Sequence, residues 1–129
     1  MKKIILGLLF LSSTLFSLDW VKDINTALTV AKKEHKIVMV LVEGEHCKWC
    51  KKMKHRTLSD DTVEKRLEKF IIVKVMRENG LEMSVLPPVK GVPTIFFMKD
   101  NKAIIEEIIG YFDVTDFISY LNDVEKKTK

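Results

Sequence analysis

The sequence predicts an α/β chain with a central mixed sheet flanked by helices on both faces, and three observations predict it. Ile37 to Val42 is an unbroken apolar run, β-branched at Ile37, Val38, Val40 and Val42, which suits a strand covered on both faces. Stretches with apolar residues at helical spacing precede and follow it, so helices alternate with strands through the first half. In the second half two apolar stretches meet at Asp100-Asn101, a turn pair, which reads as a hairpin and brings antiparallel pairing into the same sheet. At 129 residues, 47% of them hydrophobic, the chain is on the scale of one compact domain.

The first residues stand outside that domain. Met1-Lys2-Lys3 is a short positive segment, Ile4 to Leu11 an apolar one, and Ser12 to Ser17 supplies small residues suited to cleavage after Ser17. Residues 1–17 therefore read as a secretory signal peptide and 18–129 as the mature domain. A retained anchor is the alternative, but Ser12, Ser13 and Thr14 interrupt the apolar stretch, which falls short of the roughly 20 residues a spanning helix needs. No cysteine near the cleavage region offers a site for lipid attachment. Loss of Lys2 and Lys3 lowers the formal charge from +4 to +2. The remaining lysines are spread among acids, so no nucleic-acid partner is indicated, and Lys126-Lys127-Thr128-Lys129 reads as a solvated tail.

Within the domain, Asp23 is the expected N-cap of an amphipathic helix carrying Ile24, Ala27, Leu28 and Ala31 and ending near Glu34-His35. Trp20 is expected to pack, as a hydrophobic residue just ahead of that helix. After the strand from Ile37 comes a basic helix, Lys48 to about Arg56, with Met53 as its apolar contact. Ser59 or Asp60 caps a helix through Val63, Leu67 and Phe70, and Phe70 to Met76 is a second buried strand. Arg77-Glu78-Asn79-Gly80 is a turn, and Leu81 to Val89, with Pro87-Pro88, an irregular connection. Thr94 to Met98 and Ala103 to Ile109 form the hairpin. Asp113 or Thr115 caps a last helix with Phe117, Ile118, Leu121 and Val124 inward. The order is α-β-α-α-β-β-β-α.

Chemistry concentrates at Cys47-Lys48-Trp49-Cys50, at the junction of the first strand and the basic helix. A helix N-terminus points unpaired N–H groups and a partial positive charge at the residue there, which favours thiolate over thiol. Cys47 then attacks, and Cys50, one turn deeper, resolves the mixed disulfide. A structural staple is the competing reading, but so short a loop constrains the unfolded chain little. A zinc site drawing on Cys47, Cys50, His46 and His55 lacks the usual second ligand pair. Haem attachment wants His directly after Cys50, where Lys51 stands. His35 and His55 read as surface residues, and neither metal nor cofactor is expected.

The strand from Ile37, the C-x-x-C opening a helix, Gly91-Val92-Pro93-Thr94 leading into Ile95-Phe96-Phe97, the Asp-Asn hairpin and Gly110 before the last helix together resemble the thioredoxin family over nearly all of residues 18–129. Trp20, the Ala31 to Lys36 helix end and Cys47 to Met53 resemble, more narrowly, exported proteins related to the periplasmic thiol domain of transmembrane disulfide reductases. The resemblance implies a thioredoxin fold, a cis Val92–Pro93 bond beside the sulfurs, and a Val92 backbone offered to an extended substrate peptide. It also implies a monomeric periplasmic thiol–disulfide oxidoreductase, a membrane thiol carrier as electron donor, and exported disulfide-containing proteins as clients. A disulfide oxidase, or a peptide-binding module with idle cysteines, remains the alternative.

The departures bear on tuning. Lys48 and protonated His46 would stabilise a Cys47 thiolate, and Glu43 and Glu45 would oppose it. Trp49, between the cysteines, is expected to face solvent as part of the substrate platform. Thioredoxins carry a buried Asp where Leu41 stands; Glu43, two residues on and on the same side of the strand, is its candidate replacement, although a strand-end Glu is expected to be solvated.

Overall fold

The computed structural model describes residues 18–129. The boundary at Ser17 and the signal-peptide expectation lie outside the described residues.

Asp23 caps the first helix, α1 (Ile24–Glu34), its carboxylate accepting from the Thr26 N–H at 2.7 Å. The strands β2 (Ile37–Glu43) and β3 (Phe70–Met76) run parallel, and β4 (Thr94–Met98) lies antiparallel to β2 on its other side, with β5 (Ile104–Ile109) antiparallel at the edge. The apolar run of β2 is thereby the centre of the sheet, buried from Val38 to Glu43. A strand of only two residues, β1 (Trp20–Val21), pairs parallel to β3 and completes the order β1-β3-β2-β4-β5.

Period-two alternation divides the core between the two faces of the sheet. Met39, Leu41, Ile95 and Phe97 pack under Met53 and Leu58, the helix α3 (Asp61–Leu67) and the helix α5 (Val114–Lys127) through Phe117, Leu121 and Val124. Val38, Val40, Val42, Ile71, Val73 and Phe96 pack on the other side against Ile24, Ala27, Leu28 and Ala31 of α1. The expected mixed sheet with helices on both faces is thus present. Asp60, not Ser59, caps α3, and Asp113, not Thr115, caps α5.

The expected element order needs three corrections. Trp20 does pack, but within β1, opposite Ile72 and with Lys74 Nζ 4.9 Å from its ring centre; a two-residue strand is invisible until β3 supplies its partner. The irregular connection opens with a short helix, α4 (Gly80–Met83), because the Asn79 side chain caps it at Glu82 N–H. The basic helix is α2 (Lys48–Lys52) followed by a π-helical turn, Met53–Thr57, in which Leu58 N–H reaches back to Met53 C=O at 2.9 Å.

Candidate active site

The redox pair stands where β2 hands over to α2. Gly44 is closely flanked: a Cβ there would lie 3.1 Å from both Arg77 Nη2 and Val92 Cγ2, side-chain atoms of the two segments beside this exit from the sheet. Two hydrogen bonds tie this exit to the end of β3: Arg77 N–H to Glu43 C=O at 2.7 Å, and Glu45 N–H to the Glu78 carboxylate at 3.2 Å. That second bond, after a bond from Glu78's own backbone, lowers the Glu78 pKa. His46, exposed, takes a left-handed backbone (φ 55°) and turns the chain into the helix.

Cys47 is the N-cap of α2. Its Sγ accepts from the Cys50 N–H at 3.1 Å and is disulfide-bonded to Cys50, with 5.2 Å between the Cα atoms. Cys50 is buried and Cys47 half-buried. These are the chain's two cysteines, and neither is free.

The Val92 loop comes to the same place through the sheet. Val42 pairs with Thr94, which sets the residues ahead of β4 beside those following β2. The Val92–Pro93 bond is cis, Pro93 is buried, and Thr94 Oγ1 donates to Gly91 C=O at 2.7 Å. Val92 itself has no backbone hydrogen-bond partner among the described residues.

Trp49 is 51% exposed, yet its ring rests against Tyr111, centroids 5.8 Å apart, and Lys52 Nζ sits 4.7 Å from each of the two ring centres. Exposure and packing, set against each other by sequence, coexist at Trp49. Tyr111 escapes a linear reading because it lies 62 residues from Trp49. The signal for it was Gly110, whose N–H donates to Pro93 C=O at 2.8 Å and whose φ of +97° turns the chain past the loop. Thr57, buried in the π turn, fixes the same segment by donating to Phe112 C=O at 2.6 Å.

The expectation of a solvated Glu43 is overturned. Glu43 is buried, 7% exposed, on the Leu41 side of β2, and its carboxylate meets Lys54 Nζ at 2.6 Å. A carboxylate can be buried there because Lys54, four residues beyond Cys50 on the covering helix, supplies its counter-charge. Lys48 is exposed, and so are His35 and His55. Among the described residues no group of three or more His, Cys, Asp or Glu is placed to hold a metal ion.

Residues 19–100 match the thioredoxin-like family, more than half of the chain. The chain belongs to the thioredoxin-like family. It is 27% identical over 106 residues to the thiol:disulfide interchange protein DsbD of Yersinia pestis, covering 78% of this chain and 18% of that protein, so it spans less than a fifth of that relative. The fold is shared with a thioredoxin from Thermus thermophilus (TM-score 0.72, 24% identity, 85% of this chain and 90% of that one). It is shared as well with the DsbD C-terminal domain of Neisseria meningitidis in its oxidised form (TM-score 0.62, 24% identity, 76% and 90%). A thioredoxin-like domain with a C-x-x-C disulfide at a helix start carries the equipment of a thiol–disulfide oxidoreductase.

Proposed function

We propose that this thioredoxin-like domain is an exported, monomeric oxidoreductase that reduces disulfides of periplasmic proteins through the Cys47/Cys50 dithiol. The observation that carries this reading is the disulfide-bonded pair at the start of α2, its half-buried member capping the helix beside an unpaired Val92 backbone.

In the reduced domain the Cys47 thiolate attacks one sulfur of a client disulfide. The client S–S bond breaks, a mixed disulfide forms, and the departing client thiolate takes a proton. Cys50, deprotonated, attacks Cys47 Sγ, and the second client sulfur leaves as thiol. The client gains two electrons and two protons, and the domain is left as the Cys47–Cys50 disulfide. A dithiol donor, a membrane thiol carrier in this reading, returns it to the start by the reverse exchange. The Cys50 N–H and the helix N-terminus stabilise the Cys47 thiolate, with Lys48 and protonated His46 adding charge. Val92 and Pro93 hold the client strand, and Trp49 lines its path. Glu43 takes the part of the family's buried acid that Leu41 lacks.

The likeness to a known relative supports the exchange chemistry, and the charge pairing around the redox helix supports the reducing direction. The likeness to DsbD, a thiol:disulfide interchange protein, extends over most of this chain. Lys54 is neutralised by Glu43, so the cations following Cys50 stabilise the thiolate less than their number suggests. Because a stabilised thiolate makes a stronger oxidant, equilibration of the purified domain with glutathione tests the direction. The expected potential lies nearer the about −270 mV of reducing thioredoxins than the about −120 mV of the strongest oxidants. A value at the oxidising end would reverse the assignment.

A further inference from the structure

The even spread of lysines along the chain has one exception, and it lies at the redox pair. Residues 44–57 carry Lys48, Lys51, Lys52, Lys54 and Arg56 against the single carboxylate of Glu45, so this stretch alone holds as much net charge as the whole chain, +4. The fold decides where these cations point. Cys50, Met53 and Thr57 take the inward side of the helical segment, leaving Lys48, Lys51 and Arg56 exposed and Lys52 half-buried over the rings. Lys54 meets Glu43; the other ion pairs among the described residues join Arg66 to Glu125, Arg77 to Glu78 and Lys127 to Glu106. Lys48, Lys51, Lys52 and Arg56 therefore form a face with no carboxylate at ion-pair distance among the described residues. Lys48 and Lys52 are four apart on α2, and Lys52 and Arg56 four apart across its junction with the π-helical turn, a spacing at which like charges repel. Beyond the Lys52 contact with the two rings, that arrangement costs the fold like-charge repulsion, which an anionic surface laid over it would relieve.

We propose that this face docks a partner protein whose acidic side chains flank its reactive disulfide. The inference rests on Cys47/Cys50 acting as a dithiol, and it names the class of client that the dithiol serves. The attacking Cys47 is the first residue of the same helical segment, so carboxylates resting on Lys48, Lys51 and Arg56 bring a neighbouring disulfide to the sulfur that attacks it. Charge complementarity of this exposed kind raises the encounter rate and fixes the approach, and it fades with salt. The covalent step is the exchange already described, with electrons passing from the reduced domain to the partner's disulfide.

The test is single-turnover exchange between the pre-reduced protein, freed of reductant, and three disulfide peptides of one length whose flanks are acidic, serine or lysine. At about 20 mM ionic strength the acidic peptide should react about tenfold faster than the serine peptide, with the lysine peptide slowest. At about 0.5 M salt the three should agree within about twofold. The double variant Lys51→Gln/Arg56→Gln should cut the acidic-to-serine ratio about threefold, a ratio that divides out the intrinsic reactivity of Cys47. Equal rates at low salt, or a ratio untouched by the double substitution, would overturn the proposal while reduction of uncharged hydroxyethyl disulfide left the oxidoreductase reading standing. Failure with every disulfide would overturn both. Sedimentation with phosphatidylglycerol vesicles, lost in the double variant and without preference for the acidic peptide, would give the face to a membrane surface and overturn it too.

Discussion

Glu43 and Lys54 set the electrostatics beneath the redox helix. With Glu43 buried and Lys54 mostly so, removing the cation leaves a carboxylate with neither water nor counter-charge. Lys54→Met should cost about 1–2 kcal/mol in denaturant unfolding, below the value for a fully buried pair because Lys54 keeps some solvent contact. Glu82 is a second strained carboxyl: Oε2 is buried without a partner among the described residues, and burial, then the charge of Asp23, raises its pKa against a smaller opposing bond from Ile24. A raised folded value favours the protonated form in the fold, so that contribution is complete below the ordinary value of 4.5 and is lost as pH climbs through the folded value. Glu82→Gln should therefore melt above the wild type at pH 7, with the gap closing toward pH 4. The Cys47–Cys50 pair was legible from its position between a strand and a helix, taken with the Gly91 to Thr94 segment downstream. The burial of Glu43 was not, because the partner that permits it comes from another element, eleven residues on.

At the scale of elements, the segment from Lys48 to Thr57 links the redox pair to the end of the sheet. Its inward Met53 was readable as the apolar contact of a basic helix; the burial of Thr57 and the change from α to π at Met53 were not, because neither leaves a mark in the local pattern. Thr57 matters beyond packing, since its hydroxyl satisfies the Phe112 carbonyl next to Tyr111. Thr57→Val keeps the shape and removes the donor, and it should cost about 1–2 kcal/mol in thermal or denaturant unfolding. The long strands were legible because both faces of β2 and β3 are covered. By contrast, β1 exists only through its pairing with β3, and α4 only through the Asn79 cap.

Across the whole molecule, the sheet order brings two distant segments to one end. Parallel β3 and antiparallel β4 flank β2, so the Arg77-Glu78 turn, the Gly44 exit and the Val92 loop converge on the start of α2. The cysteine pair and Gly91-Val92-Pro93-Thr94 made this convergence readable through a family resemblance; spacing alone would not have joined them. The Trp49–Tyr111 contact and the unpaired cationic face emerge only once the chain is folded. A dithiol that acts on protein clients should be caught in the act when its resolving step is removed. Cys50→Ser, expressed in cells and recovered under alkylating, non-reducing conditions, should carry mixed disulfides with other proteins, all through Cys47 and all absent from the Cys47→Ser/Cys50→Ser variant. A Cys50→Ser protein that binds client peptides but forms no mixed disulfide would contradict the assignment and leave a binding module with idle cysteines.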